Sequence, residues 1–406
     1  MTAVVRIGQA GDGLTRVIAP PPGAGGAAPS VLDPAPGVDV AVLEVAGGLL
    51  TWSVLALDAP PVAVLDDVDR AQEWVWAMYG EQVALALAAD TDTGTAAEPA
   101  AEPAEVSADV RVDASADVPV EVPVEVPVLP ALPALVVSAR QLAFAHWASR
   151  WWPASLIDGI PPLDERQLDR EIGELTEECD LLFAGEETAD SRPPGGQDAE
   201  FPADGSPAVE EAPRATDYAL AAGPRAGTAG SADGLTLARG TGGSDWRRYP
   251  PGLVDASERA VSWEVVRAAA RTTVSVSVVA APGPVAVPHG LTPRATVSGA
   301  ADPLDLALRR VDDTWLGNAP FDSAGTGSPA PGGAGPAVDI YLPGFGTSRT
   351  RAHDDEAAAE TRARVRALVR SRLARARDGD GNGNGNDGTG PLLRTEIAAA
   401  TAETDF

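Results

Sequence analysis

Ser138-Ala139-Arg140-Gln141-Leu142-Ala143-Phe144-Ala145-His146-Trp147-Ala148-Ser149-Arg150-Trp151-Trp152-Pro153 carries the clearest periodic signal in the chain. Ser138 and Gln141 stand three apart as a capping box, Phe144, Trp147, Ala148 and Trp151 recur at i, i+3, i+4 and i+7, and Pro153 closes the run. The spacing predicts a helix with one aromatic face. Past the turn-rich Asp158-Gly159-Ile160-Pro161-Pro162, Asp164 and Gln167 form a second box, and Leu168, Ile172, Leu175, Cys179 and Leu182 line one side of a second helix. Helices joined by so short a loop pack antiparallel. The tryptophans expose more apolar area than two helices bury by themselves, so another part of the chain or a partner is expected to cover it. Phe144, Trp147, Trp151 and Trp152 are therefore the candidate partner-binding residues.

Outward from this hairpin, assigned to residues 134–184, the pattern alternates between periodic and unpatterned stretches. Residues 1–90 read as a small α+β module. Val38, Val40 and Val42 face Leu50, Trp52 and Val54 across Gly47-Gly48, and Asp66-Asp67 precede a helix bearing Val68, Ala71, Val75 and Met78 that Gly80 ends. Gln82 to Ala88 fits strand and helix equally. Residues 91–133 are rich in Ala, Glu and Pro and end in Val118-Pro-Val-Glu-Val-Pro-Val-Glu-Val-Pro-Val128, which reads as a semi-stiff solvated spacer or, alternatively, a docking peptide for a proline-reading domain. Residues 185–244 are Gly, Ala, Pro and acid rich and predict disorder.

Period two returns in residues 245–343: Val261, Trp263 and Val265, then Val274, Val276 and Val278, then Leu304, Leu306 and Leu308, then Val338, Ile340 and Leu342. Such spacing predicts an antiparallel β-sandwich-like module. Residues 344–377 hold a basic amphipathic helix with Val365, Leu368, Val369 and Leu373 as its stripe, and residues 378–406 read as a Gly/Asn-rich linker and acidic tail. The predicted fold class is thus α+β: an N-terminal α+β module, a helical hairpin and a β-sandwich-like module with a C-terminal amphipathic helix, separated by long disordered linkers.

Composition limits the chemistry. The 406 residues include 59 acids against 30 bases, all of the bases Arg, for a formal charge of -29. The whole molecule is expected to repel nucleic acid and anionic membranes. Without lysine there is no Schiff-base amine, no Walker-loop Lys and no protein-kinase Lys. Cys179 stands alone, so neither an internal disulfide nor a CxxC pair is available. Residues Met1 to Arg6 lack the basic start of a secretory leader, and Val38 to Leu57 is interrupted by Asp39, Glu44 and Gly47-Gly48 and does not read as a membrane span. A cytoplasmic location is expected.

The chemical motifs are fragments. Asp378-Gly-Asp380-Gly-Asn382-Gly383 resembles half an EF-hand loop, but Thr389 occupies the position of the closing Glu, so it reads as a linker. Leu342-Pro343-Gly344-Phe345-Gly346 lacks the third glycine of a phosphate cradle and reads as a strand-exit turn. No serine stands in G-x-S-x-G, no HExxH exists, and His146, His289 and His353 share no ligand spacing. Cys179 lies on an apolar stripe and reads as core. Arg362, Arg364, Arg366, Arg370, Arg372, Arg375 and Arg377, with Arg349 and Arg351 before them, suit an anion, or else compensation by the chain's own acids.

No motif defines an activity, and no catalytic, cofactor or metal residue is assigned. The expected function is a non-catalytic protein-interaction or assembly component of a cytoplasmic complex, with a protein partner, no cofactor, no membrane and no nucleic acid. The aromatic hairpin would supply the contact area, and the acids around it would steer a cationic partner surface. Two alternatives are an enzyme with an unrecognised carboxylate/hydroxyl site and an anion or nucleic-acid binder using the Arg-rich helix.

Overall fold

A computed structural model describes residues 3–9, 13–19, 37–94, 124–184, 234–269, 271–283, 291–298, 303–321, 336–346, 352–379 and 390–402. The first sheet is antiparallel: β1 (Val4–Gln9), β2 (Thr15–Ile18), β3 (Val40–Val45), β4 (Gly48–Ser53), β5 (Val62–Leu65) and β6 (Val124–Pro127), in the order β3-β4-β5-β2-β1-β6. The β3–β4 hairpin falls where alternation predicts it, with Leu43 opposite Leu50. Gly47 turns it at φ +73, and a Cβ there would collide with the Asp67 carbonyl. The Gly47 carbonyl accepts the amides of Asp66 and Asp67, which ties the hairpin to the start of α1 (Val68–Tyr79). Asp67 caps that helix through the Arg70 amide at 3.0 Å.

The ambiguous stretch after Gly80 is helical: α2 spans Glu81–Gly94. Val83 and Leu87, one turn apart, are buried, while Leu85 between them is 62% exposed. Helical spacing therefore describes this face and alternation does not. Strand β6 corrects the spacer reading of residues 91–133 at its C-terminal end. Within V-E-V-P the valines and the glutamate alternate, and the segment lies on a sheet edge, where a proline without an N–H is tolerated.

The hairpin comprises α3 (Pro133–Trp151) and α4 (Glu165–Ala184). Asp164 caps α4 through the Gln167 amide at 2.8 Å, as its box predicts. The Ser138–Gln141 box is not a cap. Pro133, pre-set for the first helical position, starts α3 five residues earlier. Ser138 sits inside the helix and donates to the Glu178 carboxylate at 2.7 Å, joining the start of α3 to the end of α4.

The second β region has a five-stranded and a three-stranded antiparallel sheet. The larger runs β12-β13-β9-β8-β7, from β7 (Leu235–Gly242), β8 (Val261–Ala268), β9 (Arg271–Val279), β12 (Arg309–Val311) and β13 (Thr314–Pro320). The smaller runs β11-β10-β14, from β10 (Arg294–Val297), β11 (Leu304–Ala307) and β14 (Val338–Tyr341). Alternation predicts the inner faces: Val274, Val276 and Val278 are buried from one sheet, and Leu306 and Ile340 from the other, beside Val297 of β10, a strand the alternation does not mark. Strand β7 begins before residue 245, so residues 234–244 belong to this region and depart from the disorder predicted for 185–244.

Helix α5 (Ala352–Arg377) buries Val365, Val369 and Leu373 as its stripe predicts. The tail reading of 378–406 is corrected at residues 390–402. Leu392 and Leu393 are buried, and α6 (Arg394–Ala402) packs on α5 and α4. The class is α+β, and the segments meet in one continuous apolar core that includes Val5, Trp147, Val276, Val369 and Leu393.

Candidate functional site

The four aromatics of the hairpin part company. Phe144 and Trp147 are each only 2% exposed, their rings stacked with centroids 5.1 Å apart. Helix α3 lies on β3, and the Trp147 indole N–H donates to the Val38 carbonyl at 2.7 Å. The chain's own first sheet supplies the cover, so these two residues do not form an outward docking face. Trp151 and Trp152 are half-buried at the helix end. The Arg150 guanidinium lies 4.3 Å over the Trp151 ring and 5.1 Å from Phe345, and the Trp152 N–H donates to Pro161 O at 2.9 Å.

Below that end the loop 155–160 meets the β region in a polar knot around Asp255, which is fully buried. Its carboxylate accepts from the Ser155 hydroxyl at 2.7 Å and from the amides of Leu156, Ser257 and Ile157 at 2.7, 2.9 and 3.4 Å. Burial pushes this carboxyl above its ordinary value, against the pull of those donors. Serine beside a carboxylate is the pairing a hydrolytic reading would look for. Here Ser155 is 1% exposed, its oxygen accepts the Asp158 amide at 2.9 Å, and both Asp255 oxygens are occupied. The pair holds two segments together and offers no face to a substrate.

Next to it, Glu258 receives Arg362 at 2.8 and 3.1 Å and Arg366 at 3.0 Å. Burial alone would raise Glu258, but hydrogen bonds and charge from both guanidinium groups outweigh it and hold the group below its ordinary value. Arg366 also donates to Ala256 O at 3.0 Å and lies 3.4 Å from Asp158. Tyr249, whose phenol burial pushes up, shares a 2.6 Å hydrogen bond with Ser244.

Further along α5, Arg372 is completely buried. It pairs with Glu396 at 2.7 and 2.6 Å, donates to Pro391 O at 2.8 Å and stacks 4.1 Å from the Phe144 ring. Glu171 of α4 caps α6 through the amides of Arg394 and Thr395 and the Thr395 hydroxyl. Arg375 and Arg377 reach the carbonyls of Gly390 and Ala400. Of the arginines of α5, Arg362, Arg366 and Arg372 thus meet acids of the chain, Arg375 and Arg377 meet carbonyls, and Arg364 and Arg370 are exposed.

The minor motifs resolve simply. Burial and the neighbouring Glu178 and Asp180 charges push the Cys179 thiol up to about 11. His146 is exposed. His289, Arg349, Arg351 and Asp380 to Thr389 lie outside the described residues, as does the side chain of His353. Gly344 and Gly346 form a turn closed by the Phe345 amide on Leu342 O. Among the described residues no group of three His, Cys, Asp or Glu side chains is gathered for a metal, and no helix is long and apolar enough to cross a membrane.

Sequence reading missed the outer edge of the larger sheet. Strand β7 pairs only with β8 among the described residues, and its other side carries no strand there. Its register shifts between Thr236 and Ala238, which makes Leu237 the bulge residue, and Leu235 and Leu237 are 66% and 37% exposed. A Cβ at Gly240 would come within 2.6 Å of Trp263, so the indole lies across that glycine and pins the strand to β8. Arg239 of β7 is exposed and lies opposite Glu264 of β8. The signal was present as Leu235-Thr236-Leu237, but its surroundings are Gly and Ala rich. Compared with known protein families, curated proteins and solved structures, the chain matches none.

Proposed function

We propose that this chain is a non-catalytic interaction component of a cytoplasmic protein assembly, and that it takes an extended acidic segment of its partner as an added strand on β7. The observation that carries the reading is the open β7 edge, eight residues long, with leucines at one end. Natural sheets guard such edges with lysines, prolines or a covering element, and a partner strand satisfies the same backbone groups. The bulge at Leu237 limits pairing there, which places the useful stretch at Ala238 to Gly242. In a chain of net charge -29, Arg239 is the charged residue of that stretch, which favours an acidic strand. Trp151 and Trp152 are a second, smaller contact surface. The charge preference is the reverse of the one drawn from the acids around the hairpin.

The test is recovery of a partner by the intact chain and by Arg239→Glu, a solvent-facing change within the useful stretch that leaves the core alone. The variant is expected to keep its far-UV circular dichroism and lose the partner. Equal recovery by both proteins would refute the β7 reading. Trp151→Ala is the matching test for the smaller surface. Trp147→Ala does not serve, because it removes a core side chain.

A further inference from the structure

The last turn of α3 carries a guanidinium that the fold holds in place without pairing. Arg150 is half-buried, 4.3 Å over the Trp151 ring and 5.1 Å from the Phe345 ring. Burial holds it below its ordinary value, and no neighbouring acid pulls the other way. Among the described residues its side chain meets neither a carboxylate nor a carbonyl. The arginines of the adjoining Trp246–Arg248 turn are paired, Arg247 with Asp245 at 2.9 Å and Arg248 with Asp339 at 3.1 Å. The same contrast divides the two indoles. Trp152 donates its N–H to Pro161 O, whereas the Trp151 N–H has no acceptor among the described residues.

Both rings beside Arg150 stand on fixed backbone. Trp151 ends α3, and the Trp152 amide closes the helix on Ala148 O. Phe345 lies between Gly344 and Gly346, at φ +77 and +76. Its amide returns to Leu342 O, and the Leu342 amide donates to Arg248 O. A Cβ at Gly346 would collide with the Arg247 carbonyl, so this turn is seated directly on residues 247–248.

An aromatic face attracts a guanidinium without consuming the N–H groups at its edge. That edge matches the two oxygens of a planar carboxylate, and partial burial strengthens such a pair by keeping water from it. Phosphate suits the place less well. One guanidinium supplies one positive charge, and in a chain of -29 a dianion meets twice the repulsion of a monoanion.

We infer that Arg150, with Trp151 and Phe345 beside it, is a binding site for a carboxylate carried on an apolar or peptide body. A chain terminus and an acidic side chain present the same group. The site gives the smaller surface at Trp151 a ligand chemistry of its own and does not rest on the β7 edge.

The indole N–H signals of the nine tryptophans, in a proton–nitrogen correlation spectrum of the intact chain, read the site, with the Trp151 signal identified by its loss in Trp151→Phe. N-acetylphenylalanine offers the carboxylate as a chain terminus and N-acetylaspartic acid amide offers it as a side chain; N-acetylphenylalanine amide is the neutral match. Both acids are expected to move the Trp151 signal saturably, half-saturating on the order of 10 mM as one bidentate contact allows, and the tighter of the two names the source. Arg150→Gln is expected to weaken both by at least about tenfold while the other indole signals stay in place. Arg150→Lys, which keeps the charge but not the fork, is expected to recover only part of that loss. Arg239→Glu should change neither, which separates this site from the β7 reading. No saturation by either acid, equal movement by the neutral amide or by inorganic phosphate at the same ionic strength, or saturation that Arg150→Gln leaves intact would overturn the inference.

Discussion

Helices α3 and α5 turn their most conspicuous side chains inward, one with aromatic rings and the other with guanidinium groups. Helix α3 buries Phe144 and Trp147 against the first sheet, and a single carbonyl, that of Val38, satisfies the indole N–H. Helix α5 buries Arg362, Arg366 and Arg372, and each needs a carboxylate delivered from elsewhere in the sequence: Glu258, Asp158 and Glu396. The two helices touch where Arg372 stacks on Phe144. Aromatic burial gains mainly from area removed from water, whereas a buried guanidinium must first recover its desolvation cost through its partners. The first arrangement tolerates little loss of volume and the second tolerates no loss of partners.

The largest expected effects separate these two cases. Glu396→Ala takes the counter-charge from Arg372 in the core, while the Pro391 carbonyl and the Phe144 ring stay beside it, and is expected to destabilise by about 3–5 kcal/mol, read by urea denaturation. Adding Arg372→Met to Glu396→Leu, so that both charges go together, is expected to recover most of that loss. Trp147→Ala should cost a similar ~3–5 kcal/mol through its cavity. No second change of charge should rescue it. A double variant at Arg372 and Glu396 as unstable as Glu396→Ala alone would mean that packing volume governs both helices.

This contrast also separates what could be read in the sequence from what could not. The inward valines of the second β region, the β3–β4 hairpin, the Asp67 and Asp164 caps and the stripe of α5 were legible, because each depends on spacing within one element. The burial of Phe144 and Trp147 was half legible: the area demanded a cover, but nothing local identified residues 38–45 as the strand providing it. The ion pairs were illegible in principle, since Arg362 and Glu258 are 104 residues apart and any of 59 acids could be matched to any arginine on paper. Strand β6 and helix α6 were missed for another reason. Pro-rich and Ala-rich composition outweighed short patterns whose order comes from docking on β1 and on Glu171.

A medium effect comes from acid. Glu258 is held below its ordinary value, so its contribution to stability is fully present above pH 4.5 and is lost as pH falls through the lowered folded value. Asp255 has the opposite sign. Burial raises it above 3.8, so its contribution favours the folded state at low pH and fades as pH rises from 3.8 through the raised value. Denaturation midpoints across pH 3–6 should therefore fall more gently toward acid in Glu258→Gln than in the unaltered chain, and more steeply in Asp255→Asn. Parallel curves for all three proteins would mean that neither carboxylate changes its proton affinity on folding.

The smallest effect tests whether position on α5, rather than arginine itself, sets the cost. Arg370 is solvent-facing, whereas Arg372, two residues on, is completely buried. Arg370→Gln should change stability by no more than about 0.5 kcal/mol, as for an ordinary surface substitution. Because so few of the arginines described on α5 are free in a chain carrying -29, the intact protein should pass through heparin at moderate salt. Retention that Arg364→Gln/Arg370→Gln removes would show that two exposed arginines suffice to hold a polyanion, and would restore the cationic reading of the helix that the ion pairs of Arg362, Arg366 and Arg372 argue against.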